Sequence, residues 1–350
     1  MAETAGGQRV YIGSFTEAGG RGVTVALVDP DTGALTVTGH HHTVANPSYL
    51  ALAPGSGTLY AVSETDHGSV AAHSLARPDS PDLIGAAVPV DASAPTHLTV
   101  AAGQLFTANY GSGSVSALTV RQDGSLGGRP PSTAVHTGSG PDRDRQAGPH
   151  AHCVVADPRW RWLLSADLGT DSVWVYRLEH TEPGLSLHAE VPMAPGSGPR
   201  HLGFHPAGDR VYTVNELDST LTVCRWDAQA GKLEPAASVS TRPPRARGAN
   251  HPSALVISPD GLRAWVANRG DDTIAVFGLD PARQSVELID TVSCGGHWPR
   301  DLVLDPSGRR LYAANERSGE VVWFDVDART GTPYRAGELR VPAVSCLVFA

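Results

Sequence analysis

Apolar positions along the chain alternate with a period of two, and no useful length sustains a period of 3.6, so the pattern predicts strands rather than amphipathic helices. The alternating runs come in sets. An opening strand bounded by Pro, as in PRHLGFHP (199–206), leads to an aromatic or apolar strand, VYTVNE (211–216). A third strand of Ser/Thr-x-Val type follows, TLTVCRWD (220–227). Asp-Gly, Ser-Gly and Thr-Gly pairs separate such runs, as tight turns require. The stretch PRDLVLDPSGRRLYAANE (299–316) repeats the spacing of 199–216 and keeps the Arg and the Glu at its two ends. Two such matches within one chain mark an internal repeat.

Seven copies can be followed. Opening strands begin at Pro47, Pro95, His150, Pro199, Pro252, Pro299 and Pro342, the first closing with a turn at Pro54. Second strands lie at 10–15, 59–64, 105–110, 163–168, 211–216, 264–269 and 311–316, and third strands at 23–29, 69–75, 114–120, 172–178, 220–227, 273–280 and 320–327. Fourth strands are less distinct, as exposed outer edges often are; 34–41 and 286–293 are examples. The repeat length, about 50 residues, is near that of a four-stranded propeller blade. The chain starts with a second strand and stops with an opening strand, so its two ends complement each other. The sequence therefore predicts an all-β, seven-bladed β-propeller, residues 1–350 as a single domain, with the C-terminal strand joining the N-terminal blade. Two irregular connections, Arg121–Gly148 and Thr241–Asn250, read as insertions on one face of the ring.

Composition narrows the class of partner. A formal charge of -9 argues against nucleic acid and anionic membrane surfaces. No run approaches the roughly 18 apolar residues of a membrane helix, and MAETAGGQRV lacks a basic-then-apolar leader. The expectation is a soluble, cytoplasmic protein, monomeric or weakly homo-oligomeric. Cys153, Cys224, Cys294 and Cys346 form no CxxC pair and read as buried free thiols. His40-His41-His42 beside a turn has no partnering acids or cysteines, so no metal and no cofactor are expected.

Repeats allow an internal comparison: scaffold positions should agree between units and functional ones should differ. The residue six before the turn Pro is Ser48, His152, Arg200, Ser253 and Arg300 in the first, third, fourth, fifth and sixth units, and the PTHL phrase of the second, which lacks that Pro, puts Thr96 there. The residue ending the second strand is Phe15, Glu64, Tyr110, Leu168, Glu216, Arg269 and Glu316. The two positions share one end of a hairpin, so they should meet on one face near the central channel. That gathers His152, Arg200, Glu216, Arg269, Arg300, Glu316 and Glu64 around one opening, with His150 nearer the rim and competing with His152 as the base. The blander alternative is that Arg200 pairs with Glu216, and Arg300 with Glu316, for structure alone. His201 should point away from Arg200 on an alternating strand and serve packing. His251 and His297 fall in loops leading into strands, and Tyr110 and Phe15 read as walls.

The phrases GPHAHCVVADP, LLSADLGTDSVWVYRL, GPRHLGFHPAGDRVYTVNE, SPDGLRAWVANRGDDTIAVF and DPSGRRLYAANE resemble the lactonase family of seven-bladed propellers, which includes 6-phosphogluconolactonases and carboxy-muconate cyclases. The chain departs from the family's pattern at Ser253-Ala254-Leu255 and at Asn315-Glu316. The resemblance implies a cofactor-free hydrolase of carbohydrate metabolism, in the pentose phosphate pathway, that opens a small anionic sugar lactone. By motif the family's catalytic His, Arg, Glu and second Arg correspond to His152, Arg200, Glu216 and Arg269. His152 would be the general base, Arg200 would face the oxyanion, and Glu216 would orient them or hold the water. Arg269, with Arg300, Glu316, Glu64 and His150 around it, would bind substrate. The alternatives are a lactonizing cyclase acting on a muconate-like dicarboxylate and a non-catalytic binding propeller. The scarcity of aromatics, 6%, and the ionic channel end speak against the latter.

Overall fold

The protein is described from a computed structural model that covers residues 7–53, 55, 57–127, 131–179, 184–280 and 285–350. The turn Pro54, the first six residues and 128–130 of the long connection lie outside the described residues. The strands form seven antiparallel sheets, and the innermost strands touch one another in cyclic order around a channel. From blade 1 to blade 7 these inner strands are Val344–Phe349, Leu50–Leu52, Pro95–Ala101, Ala151–Ala156, Pro199–Phe204, His251–Ile257 and Pro299–Leu304. In blade 1 the C-terminal strand pairs with the N-terminal one, Tyr11 opposite Val348 and Ile12 opposite Leu347. The expected ring closure is therefore present. Its strand begins at Val344 rather than Pro342, because Val344 is the residue in register with Pro199.

The apolar core is divided among the seven blade junctions. Each apolar cluster mixes residues of two adjacent blades, down to the junction of blades 7 and 1, where Tyr312 and Trp323 pack with Val10, Ile12 and Leu347. The aromatic residues of the second strands also tie blades together by their polar ends. Tyr60 and Tyr312 donate to the carbonyls of Gly124 and Gly33 at 2.8 and 2.9 Å, and the Trp265 indole donates to Gly331 at 2.8 Å. Gly33 has φ +71°, and a Cβ there would lie 2.8 Å from the Tyr312 hydroxyl, so both the turn and the close approach require glycine.

A second repeated device holds the hairpin ends. The Asn before the variable residue bonds the Ser/Thr that opens the third strand: Asn109 to Ser114 and Ser116, Asn215 to Thr220 and Thr222, Asn268 to Thr273. This explains the recurring Asn and Ser/Thr in sequence. They fix the residue that follows, Tyr110, Glu216 or Arg269, at the channel mouth.

The inner strands carry the main departure from simple alternation. Pro199 pairs with Asn215 and His201 with Val214, leaving Arg200 as an extra, bulged residue. The same irregularity isolates Thr96, His152, Arg300 and Ser345. A bulge re-aims the side chains on either side of it. The residue after the bulge therefore also faces inward, so His201 lines the channel cavity together with Arg200 instead of pointing away.

These post-bulge residues solve a problem of the closed ring: each inner strand is a sheet edge whose N–H groups face the next blade. His97 Nδ1 accepts from Val154 N (3.4 Å), His201 Nδ1 from Leu255 N (3.0 Å) and Asp301 Oδ2 from Leu347 N (3.1 Å). The thiols of Cys153 and Cys346 receive the N–H groups of Leu202 and Leu50. Ala254 offers no acceptor, and the N–H of Leu302 in the next blade turns to Asp301 Oδ1 of its own blade (2.9 Å).

Candidate active site

Glu216 is the centre of the site. Its Oε1 accepts from Arg145 at 2.7 Å, and its Oε2 accepts from Arg269 at 2.6 Å and lies 3.1 Å from Arg200 Nε. Glu216, Arg200 and Arg269 are 4, 5 and 6% exposed, so these charges interact with little solvent screening. Burial alone would raise the Glu216 carboxyl, but Arg269, Arg200 and Arg145 together hold it down at about 2. The expected Arg200–Glu216 pair exists, but it belongs to a four-residue cluster drawn from two adjacent blades and a loop.

The guanidiniums in that cluster differ in what they have left to offer. Arg269 spends Nε on the His251 carbonyl (2.9 Å) and one terminal nitrogen on Glu216. Arg200 Nε sits off the hydrogen-bond line to Glu216, and no hydrogen bond of its side chain is found among the described residues. Its donors face a cavity of about 20 Å³ lined by His152, Arg300, Tyr49, His97, His201, Asp301 and Ser345, among others. That space suits about one water molecule. Burial and Arg269 push the Arg200 guanidinium down to about 9, so it stays charged at neutral pH.

His152 shares the cavity. Its ring meets Tyr110 edge-on at 5.5 Å, and burial followed by the fields of Arg200, Arg300 and Arg269 holds it well below the usual imidazole range. It is therefore neutral near pH 7. His150 sits at the rim instead: it stacks on Tyr110 at 4.4 Å, and its Nδ1 is taken by the Tyr110 carbonyl at 2.9 Å. That bond fixes the His150 tautomer with its proton on Nδ1 and leaves Nε2 as the free ring nitrogen.

Arg300 reaches across the channel mouth. It lies 3.4 Å from Glu316 of its own blade and 3.7 Å from Glu64 of blade 2, within 3.5 Å of Thr96, and over the Phe15 ring at 4.9 Å. Glu64 in turn accepts from Ser48 and from Thr96 (3.3 Å). All eight residues singled out in the sequence thus lie at one end of the channel, in two ionic groups: Arg200, Glu216 and Arg269 beside His152, and Arg300 with Glu316 and Glu64.

Arg145 is the residue that sequence reasoning missed. It comes from the connection 121–148, part of which is the outer strand of blade 3 (Ser132–Val135) rather than an insertion. The remainder is held firmly. Gln146, fully buried, donates to Leu168 O (2.8 Å) and to Asp171 Oδ1 (2.7 Å), and its backbone N–H bonds Asp142 O at 2.7 Å. Arg145 thereby stands over Glu216 with 36% of its side chain exposed. The compositional irregularity of the stretch was the only signal available.

Below the site, His97, Cys153 and His201 bring possible ligand atoms within 4.8 Å of one another. The hydrogen bonds do not suit a metal. Both Nδ1 atoms accept backbone N–H groups, so each neutral ring carries its proton on Nε2, the atom that would have to bind the ion; ligating histidines show the reverse arrangement. Burial also pushes the Cys153 thiol up to about 12. The trio is scaffold.

Comparison with known proteins agrees with this architecture. The family model for the seven-bladed β-propeller lactonases matches residues 9–349. The 6-phosphogluconolactonase of Bacillus subtilis is 34% identical over 343 residues, covering 97% of each chain. A periplasmic gluconolactonase of Pseudomonas aeruginosa superposes with a TM-score of 0.91 at 31% identity, over 98% of this chain and 99% of that one. A candidate 6-phosphogluconolactonase of Bacteroides fragilis gives 0.92 at 27% identity over the whole of both chains. Among the described residues no helix is long and apolar enough to cross a membrane. The closed seven-blade ring, the ionic channel mouth and a match along nearly the whole chain lead to one conclusion: this chain belongs to the lactonase family of seven-bladed β-propellers.

Proposed function

We propose that the chain opens 6-phosphogluconolactone or a closely similar sugar lactone at the channel mouth, with His152 as general base and Arg200 as oxyanion partner. Lactone hydrolysis, a carboxylic-ester hydrolase chemistry, is the activity carried by the family and its named relatives. The observation behind the mechanism is the pairing of a neutral, half-buried imidazole with an adjacent guanidinium whose donors are unspent, both facing a water-sized cavity.

His152 would take a proton from a water as that water's oxygen attacks the lactone carbonyl. The carbonyl oxygen gains the negative charge beside Arg200, where a fixed cation in a water-poor site contributes most. Collapse breaks the bond to the ring oxygen, which leaves as an alkoxide and takes the proton back from His152. The product is an open hydroxy acid. Glu216 positions Arg200 and Arg269 and does not itself touch the reacting atoms. We place the reaction in the cytoplasm, where phosphorylated sugars of the pentose phosphate pathway are made; the four buried, free cysteines support a reducing compartment.

The test is hydrolysis of 6-phosphoglucono-δ-lactone by purified protein, with the spontaneous rate subtracted. Acceleration that falls at least about a hundredfold in His152→Ala is expected. No acceleration by the unaltered protein would overturn the substrate, and an undiminished rate in His152→Ala would overturn the base.

A further inference from the structure

The rim above Glu216 contains cations that the hydrolytic step does not use. Arg317 is exposed, stacks on Trp298 with its guanidinium carbon 3.4 Å from the ring centroid, and pairs with no carboxylate among the described residues. Arg269 approaches the same indole at 5.4 Å. His251 lies 6.0 Å from the Trp298 ring, in the fields of Glu216, Arg269, Arg145 and Arg317, and its Nδ1 is buried with no hydrogen-bond partner among the described residues. Around this point Arg145, Arg200 and Arg269 share the carboxylate of Glu216, Arg269 also feels Glu316, and Arg317 stands on Trp298 nearby, in a chain whose formal charge is -9. So concentrated a local excess of positive charge calls for an anion.

The repeat itself marks the place. The residue before the position equivalent to Pro199 is Asn46, Ala94, Gly198 or Ala343 in four blades, all at positive φ. In blade 7 the same left-handed position holds Trp298, at φ +66°. A bulky aromatic is disfavoured in that conformation, and such strain concentrates at functional positions. Trp298 lays its face under Arg317, which leaves the edge of the guanidinium, with its N–H donors, free for a ligand.

We propose that Arg145 and Arg317, with His251 nearby and Trp298 as the wall, form the subsite for the phosphate of a phosphorylated sugar lactone. The subsite rests on the lactonase reading above and moves the substrate's anion away from Arg269 and Arg300, whose donors are largely spent within the protein. Arg145, pre-set by the Gln146 anchor, and Arg317, pre-set by Trp298, grip the phosphate from two sides. Its position on the rim leaves the lactone carbonyl to reach down toward Arg200 and His152. A lactone without a phosphate lacks this hold, so the rim cations set selectivity rather than the chemical step.

The experiment compares kcat/KM for 6-phosphoglucono-δ-lactone with that for glucono-δ-lactone in the unaltered protein, in Arg145→Met and in Arg317→Met. The ratio of the two values should fall by about tenfold or more in each variant, the size of one lost charge-assisted hydrogen bond. A ratio that stays constant in both variants overturns the subsite, even if both rates fall. Calorimetric binding of 6-phosphogluconate and of gluconate separates this failure from failure of the lactonase reading. Should neither lactone be hydrolysed, salt-sensitive binding of 6-phosphogluconate that weakens about tenfold in both variants still supports the subsite, while equal binding of the two sugar acids overturns it.

Discussion

Replacing Glu216 by Gln keeps the shape of the side chain and removes the one negative charge shared by Arg145, Arg200 and Arg269. The cost can be worked in two ways. Glu216 titrates at about 2 in the folded chain against an ordinary value of 4.5, a difference that corresponds to about 3 kcal/mol. Deleting one partner of a buried ion pair independently predicts about 3 to 5 kcal/mol, because guanidiniums are left facing one another without a counter-charge. For 350 residues, an unfolding entropy of roughly 2.1 cal/mol/K per residue gives about 0.7 kcal/mol/K, so Tm should fall by about 4 to 7 °C at pH 7. The pH dependence is the sharper part. A carboxyl held below its ordinary value contributes stability above about pH 4.5 and loses it as pH falls toward about 2. Thermal unfolding followed by circular dichroism at pH 7, 4 and 3 should therefore show the gap between the two proteins narrowing with acidity. A gap that is absent at pH 7, or that stays constant down to pH 3, would refute the assignment of Glu216 as the counter-charge of the cluster.

Three further outcomes follow from the same geometry. Because burial and then Arg200, Arg300 and Arg269 lower His152, kcat/KM should stay flat as pH falls through 6.5, and Arg300→Met should move the acid limb back toward 6.5; a limb already at 6.5 in the unaltered protein would contradict this. His201→Leu strands the N–H of Leu255 at the junction of blades 5 and 6, so about 1 to 3 kcal/mol of stability should go, read as a Tm lower by about 1 to 4 °C. Ending the chain before Val344 removes the strand that pairs with residues 10–14, exposing their sheet edge and opening the ring, and the cooperative thermal transition should be lost or the protein should aggregate.

Much of this protein can be read from its primary structure because a propeller repeats its local rules. The Pro-bounded inner strands, the Tyr or Trp in the second strand, the Asn before the variable residue and the Ser/Thr opening the third strand recur in most blades, and all but the aromatics, which bond to the next blade, have a local partner within a few dozen residues. Comparing equivalent positions was enough to bring His152, Arg200, Glu216, Arg269 and Arg300 to one face, since both ends of each hairpin are defined by register alone. Arg145 and Arg317 were beyond that method. They occupy no repeated channel position: Arg145 reaches Glu216 from a loop of another blade, and Arg317 meets Trp298 at the end of its own blade's hairpin, outside the repeated pattern.

The amino-acid sequence by itself determined the strands, the number of blades, the closure of the ring by its two ends and the face on which the ionic residues gather. These follow from period-two alternation, turn chemistry and the repeat. The tertiary structure alone decided which way the inner residues point and which charges meet. Alternation sends His201 outward, but the bulge at Arg200 turns both residues toward the channel, because an extra residue breaks the period that side-chain direction depends on. It also decided that Glu216 serves three guanidiniums rather than one, since burial brings Arg145 and Arg269 to a carboxylate that local register pairs only with Arg200.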